Sequence, residues 1–245
     1  MNILKPFIVE LAKTLSQHWY HVWRMQADGS RGEYLGVFPS STTILNAYPQ
    51  STYLTQWIAD KGWNESQRIK SEAGERGTRI HIASELLEDG HELMEDDYSL
   101  EEWYKINAFV DWYHTYHPEL IVKEFSVFSE NGGYAGRLDR IYKIGDEIIL
   151  LDIKSSSAIH ENFPLQFASY GHAVEENTDL EISQTACLQL GAKNDNNYRY
   201  VLYPYWREHY RVFQNVRATW QYDYFDSKKN PKEPPVLVLP DKLKL

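Results

Sequence analysis

An α/β fold with a mixed central sheet and flanking helices follows from three features of this 245-residue chain. Apolar, β-branched runs separated by turn residues fill the stretch from 120 to 154, enough for three consecutive strands. A helical segment at 164–175 comes next, followed by two more strand-like runs at 182–190 and 198–203. Ahead of this block, residues 41–116 read mainly as helix. Strands interleaved with helices in this order pack as a helix-covered sheet, an α/β sandwich.

Each element has its own local reason. Residues 19–25 and 34–38 are expected as two strands around Ala27-Asp28-Gly29-Ser30-Arg31-Gly32, whose glycines and aspartate supply hairpin turn chemistry. Ser41-Thr42-Thr43-Ile44 opens a short helix that stops at Tyr48-Pro49. Helices follow at 52–62, 65–87 and 100–116; the last has Ser99, Glu101 and Glu102 at its start and Pro118 beyond its end. Within it Trp103, Ile106, Phe109, Val110 and Tyr113 recur at helical spacing, the mark of a core-facing stripe. The runs 134–143 and 147–154 meet at Ile144-Gly145-Asp146, a turn that makes them a hairpin. A closing helix is expected at 207–225.

At 42% hydrophobic content the chain can bury one sizeable core. No Pro-rich or Ser/Gly-rich linker divides it, so one domain is expected, with a hairpin and helical region at 1–119, a core at 120–205 and a helix and tail at 206–245. No apolar run approaches the roughly 20 residues of a membrane span. Glu10 and Lys13 break the first apolar stretch before a signal sequence could form, so the expectation is a soluble, cytoplasmic chain with no membrane partner. Cys187 is the single cysteine, which excludes intrachain disulfides and all-cysteine metal or iron–sulfur sites. The formal charge of −10 is unfavourable for a phosphate-binding surface. Arg68, Lys70, Arg76, Arg79, Arg137 and Arg140 lie near the candidate site, however, while much of the acid falls in 85–97, read as a solvated helix end and loop.

The chemistry concentrates in the 134–154 hairpin. Asp152 and Lys154 are two apart in one strand and share a face of the sheet; Asp139 lies in the strand before it. Acids in strands are solvated by default. Leu150, Leu151 and Ile153 make this strand look buried, so Asp152 needs a partner. Two carboxylates suit a hard divalent cation, Mg2+ or Mn2+, and a neighbouring lysine can stabilise charge that develops during phosphodiester hydrolysis.

Gly136-Arg137-Leu138-Asp139 followed by Leu151-Asp152-Ile153-Lys154-Ser155 resembles the core motif of the PD-(D/E)XK nucleases, and three further pieces resemble the RecB-like, Cas4-like exonuclease branch. These are Gly77-Thr78-Arg79-Ile80-His81, Glu124 in Val122-Lys123-Glu124-Phe125, and Gln166-Phe167-Ala168-Ser169-Tyr170. The likeness spans about residues 77–170, with Asp152 where glutamate also occurs and Leu138 where proline is usual. It implies a restriction-endonuclease-like core. It further implies His81, Asp139, Asp152 and the Ile153 carbonyl as metal ligands, with Glu124, Asp139, Asp152 and Lys154 as the catalytic set and Lys154 orienting the attacking water. Gln166 and Tyr170, four apart on one helical face, together with Thr78, Arg137 and Ser155, are implied at the substrate. A histidine ligand tilts the metal preference toward manganese.

The implied function is a divalent-metal-dependent deoxyribonuclease, an exonuclease on single-stranded DNA or free DNA ends in bacterial or phage recombination, repair or DNA processing, with a recombination or replication protein as a further partner. An endonuclease or flap-type nuclease on the same core, and a catalytically silent nucleic-acid-binding subunit, are the alternatives. Most aromatics read as core, with Tyr48, Tyr53, Trp57 and Trp63 as candidates for stacking on bases. Asp152→Ala and Lys154→Ala are expected to abolish cleavage and leave folding intact.

Overall fold

The structure, a computed structural model, describes residues 6–15, 17–226 and 234–237. Its first three strands, β1 (Phe7–Leu11), β2 (Trp19–Met25) and β3 (Arg31–Pro39), form an antiparallel sheet in that order. The expected β2–β3 hairpin turns at Asp28, whose Oδ1 accepts from the Ser30 backbone N–H at 2.9 Å, and at Gly29 with φ 83°. β1 was not expected from sequence: residues 12–18 between it and β2 contain no glycine or proline, so the turn carries no local signal. One face of this sheet packs Tyr20 and Val22 against Phe128 and Ala135.

Helices follow as the sequence implies: α1 (Ser41–Ile44), α2 (Thr52–Lys61), the long α3 (Trp63–Glu88) and α4 (Leu100–Tyr116). α4 begins with a capping box, Ser99 Oγ accepting from the Glu102 N–H while the Glu102 carboxylate accepts from the Ser99 N–H at 2.8 Å, and ends on His117 in the left-handed region. Its buried stripe is Ile106, Phe109 and Trp112, rotated from the expected set, so that Trp103, Val110 and Tyr113 sit at its margins. Ser99→Ala removes the cap and is expected to destabilise the protein by about 1 kcal/mol; a denaturant titration of the variant checks this.

The main sheet runs β4 (Glu119–Ser129), β5 (Tyr134–Ile144), β6 (Glu147–Lys154), β7 (Gln184–Leu190), β8 (Tyr198–Tyr203) in spatial order. All neighbours are antiparallel except β6 and β7, which are parallel. A parallel pair needs a crossover, and α5 (Phe163–Asn177) supplies it. α6 (Trp206–Gln221) packs beside α5 and gives way to a π-helical turn, Tyr222–Asp226, where an unbroken helix to 225 was expected. Two cores result. Ile80, Phe109 and Trp112 cover one face through Tyr142, Leu151 and Leu188; Phe167, Val174 and Phe213 cover the other through Leu138, Leu150 and Cys187. The fold is therefore the expected α/β sandwich, a mixed five-stranded sheet between α3/α4 and α5/α6, with an additional three-stranded sheet where only a hairpin was expected. Among the described residues no helix is long and apolar enough to cross a membrane.

Candidate metal and active site

The candidate site lies where the main sheet comes apart. β5 and β6 pair from Ile144↔Glu147 only as far as Arg140↔Leu151. Beyond that point β5 stays with β4 while β6 pairs β7 through Asp152, Ile153 and Lys154. The Asp139 side chain closes the gap: its Oδ2 accepts the Ile153 backbone N–H at 2.8 Å, so a buried donor that the ladder has dropped is satisfied by a carboxylate. On the other side the β4–β5 ladder skips Glu124, which takes φ 49°. A left-handed conformation at a non-glycine residue costs about 1–3 kcal/mol and persists only where the surroundings impose it.

Helix α3 completes the cluster. Gly77 passes so close to the end of β6 that a Cβ there would lie 3.0 Å from Ser155 Oγ, and one turn later His81 Nδ1 stands 3.5 Å from Asp139 Oδ2. His81, Glu124 and Asp139 each offer a ligand atom, and these atoms lie within 4.8 Å of one another. Next to them Asp152, 2% exposed, is ion-paired to Lys154 with Nζ 2.5 Å from Oδ1. Lys154 also sits over the rings of Phe163 and Phe167, 4.8 and 5.5 Å from their centroids, and its Nζ is 3.4 Å from Gln166 Oε1. Four separate elements, α3, β4, β5 and β6, thus deliver acids, an imidazole and an ammonium to one spot.

Crowding shows in the titration of these groups. Burial, then the Asp139 charge, push the Asp152 carboxyl up to about 6 against the opposing pull of Lys154. Glu124 is raised by burial and by Asp139, with Arg137 pulling the other way. Burial alone would lower the Lys154 ammonium; Asp152 and Asp139 more than offset it and hold it raised. Carboxylates that resist ionising in one another's company are relieved by a cation, and oxygen donors with one imidazole suit Mg2+ or Mn2+. At pH values below about 6 a divalent ion binding here would have to displace a proton from Asp152. The stabilisation a metal provides is therefore present above that pH and lost as pH falls through it. The rise in melting temperature on adding Mn2+, relative to chelator, should therefore be larger at pH 7 than at pH 5. Taking the difference at each pH cancels the contribution of His172 and His209, whose imidazoles burial lowers and which lie on α5 and α6.

The remaining expected site residues divide. Gln166 and Tyr170 do share a face of α5, but Tyr170 is 4% exposed and its hydroxyl accepts from Gln166 Nε2 at 2.9 Å. The pair is turned inward, and its contacts form a relay from Tyr170 through Gln166 to Lys154. The Tyr170 ring fills the space above Gly136, where a Cβ would come within 2.3 Å of it. Arg137 is half-exposed and pairs with Glu124 Oε2 at 2.7 Å. Thr78 is exposed and bonds back to the Gly74 carbonyl, Ser155 is half-buried, and the Ile153 side chain is wholly buried, which leaves only its backbone to the site.

The basic residues near the site are less available than the sequence implies. Arg68 pairs with Glu65 and Glu72, Arg76 with Glu101, and Arg79 with Glu102. Arg140 is entirely buried. Nor is 85–97 uniformly solvated, since the Glu88 side chain is 1% exposed and bonded to Arg140. Sequence reasoning missed Glu88 and Arg140; the signal was the spacing of His81, Ser84 and Glu88 on one helical face opposite an arginine next to Asp139. Of the candidate stacking aromatics, Tyr53 and Trp63 are 80% and 67% exposed, while Tyr48 and Trp57 are partly buried.

No family model and no curated protein matches the chain. Among solved structures it is similar to a crystal structure of a "Putative exonuclease" from Eubacterium rectale, over 83% of this chain and 79% of that one, at 15% identity and a TM-score of 0.40.

Proposed function

We propose that this chain is a divalent-metal-dependent deoxyribonuclease of the PD-(D/E)XK type, RecB-like in its motifs, acting as an exonuclease on single strands or free ends. One observation carries the reading: His81, Glu124 and Asp139 converge within 4.8 Å beside a buried Asp152–Lys154 pair, at the one point where β5 and β6 part. Strands that separate there bring several carboxylates together with an imidazole, which a purely structural acid pair does not need.

His81, Glu124, Asp139 and Asp152 would hold the ion, with the Ile153 carbonyl on the same strand end. A divalent ion bound there supplies Lewis-acid polarisation of a phosphate and a lowered pKa for the attacking water. The chain's own groups do the rest. Lys154, held by Asp152 and by the Gln166 relay, keeps an ammonium donor beside the carboxylates to orient the water and stabilise charge developing on phosphate oxygens. The Ile153 N–H, donating to Oδ2, orients the Asp139 carboxylate. Arg137, 55% exposed at its side chain, can exchange Glu124 for a substrate phosphate once a cation neutralises the carboxylate. Room for a strand exists on both sides of the loop after Lys154. A cavity of about 530 Å³ lies between Tyr48, Leu54, Lys70 and Phe163, and one of about 770 Å³ between Arg76, Lys105, Ser155 and Lys193.

The test is digestion of end-labelled linear single-stranded, linear duplex and closed circular DNA with Mg2+ or Mn2+. Loss of linear but not circular DNA supports the exonuclease. Cut circles replace it with the endonuclease alternative, and DNA binding without cleavage replaces it with the silent subunit.

A further inference from the structure

Arg140 is an expensive residue to bury. Its side chain is 0% exposed, and every part of the guanidinium is used: Nε donates to Glu88 Oε2 at 2.7 Å, Nη2 to Ser84 Oγ at 3.0 Å, and Nη1 to the Asp139 carbonyl at 2.9 Å and Glu124 Oε1 at 3.3 Å. The other Glu88 oxygen accepts from the Tyr142 hydroxyl. If the purpose were only to hold α3 against the sheet, apolar side chains of similar volume would do so as well or better, because a buried ion pair rarely repays its desolvation. What an apolar pair cannot do is hold three site elements in fixed relation. Ser84 and Glu88 lie on the same face of α3 as His81, Asp139 is the preceding residue on β5, and Glu124 is the strained residue of β4.

We propose that Arg140 is a positioning residue for the cation site: one buried guanidinium ties the His81 helix to Asp139 and fixes Glu124 in its left-handed conformation. By engaging Glu124 Oε1 from within, it leaves Oε2, which now faces the half-exposed Arg137, as the oxygen offered to a ligand. The inference rests on reading His81, Glu124 and Asp139 as a cation site. It adds a part whose loss weakens metal binding without removing any ligand.

The experiment is Mn2+ titration of the full chain, followed by calorimetry and by loss of the free-ion paramagnetic resonance signal, with a thermal melt of each variant in chelator. Arg140→Lys keeps the charge and loses the fork; Glu88→Gln with Arg140→Met removes both charges, so no unpaired ion is left buried if the single variant unfolds. Both should bind Mn2+ about 10- to 100-fold more weakly than wild type while still melting cooperatively, the usual loss when a group that orients metal ligands is removed. Glu88→Gln alone still offers an amide oxygen to Arg140 Nε and leaves its bonds to Ser84, Glu124 and Asp139 in place, so the helix stays tied and Mn2+ should bind nearly as well as in wild type. A folded Arg140→Lys or double variant with wild-type Mn2+ affinity overturns the positioning role. Absence of Mn2+ binding by wild type overturns the cation site itself, a separate failure.

Discussion

Lys154→Ala should reduce DNA cleavage by at least about 10³-fold, the scale seen when a preorganised charge-stabilising donor is removed, and should leave the melting temperature nearly unchanged. The loss is larger than one ammonium accounts for, because Lys154 also pulls the Asp152 carboxyl down against burial and Asp139. Without the lysine that pull is gone, and burial and Asp139 raise the Asp152 carboxyl further, so the donor is lost and the carboxyl ionises less readily. A carboxyl that resists ionising limits the uncompensated charge left inside the fold. Asp152→Ala is not symmetric with it. That change leaves the Lys154 ammonium, its side chain 20% exposed, over Phe163 and Phe167 with Asp139 as its remaining counter-charge, at a cost below the roughly 3–5 kcal/mol of a fully buried broken pair. The sequence-based expectation that both variants fold normally is therefore kept as an expectation for Lys154→Ala and replaced for Asp152→Ala by an expected loss of stability. Single-turnover cleavage and thermal melts of both variants test the asymmetry; equal melting temperatures would count against it.

Gly136→Ala should give the largest stability loss of any single methyl added near the site. The new Cβ would lie 2.3 Å from Tyr170 Cε1 and 3.1 Å from Cδ1, and these are atoms of a rigid, buried ring that cannot swing aside. Overpacking of this kind costs about 1–3 kcal/mol. Any displacement of the ring also pulls on Gln166 and through it on Lys154, so cleavage should fall along with stability. Tyr170→Leu in the same chain removes the obstructing ring edge and should recover part of the stability, a favourable coupling that a double-mutant cycle measures. No coupling would mean that Gly136 is required for another reason.

Much of this site could be read from the chain because its parts are local in sequence. Asp152 and Lys154 share a face by strand alternation alone, and the Gly145 turn, at φ 61°, sets β5 beside β6. The main helices were equally legible, since α4 announces itself with Ser99 and Glu102 and ends before Pro118. What escaped the sequence depends on long-range geometry. The point where β5 leaves β6 is not marked by any residue type, and it decides that Asp139 bonds the Ile153 N–H instead of standing across from Asp152. Arg140 reads as one more surface cation until α3 is laid over it. The packing of the Tyr170 ring into the space left by Gly136 is likewise invisible in the sequence. The edge strand β1 is five residues long with no turn signal behind it, so only its pairing to β2 identifies it.

Everything proposed for this site requires that His81, Glu124 and Asp139, with Asp152 beside them, hold a divalent cation. Anomalous diffraction from crystals soaked in Mn2+ would locate it. A manganese peak bonded to His81 and to the Asp139 and Glu124 carboxylates is expected, with Arg137 turned away from Glu124. A peak elsewhere, or none at Mn2+ concentrations that saturate binding in solution, would contradict it.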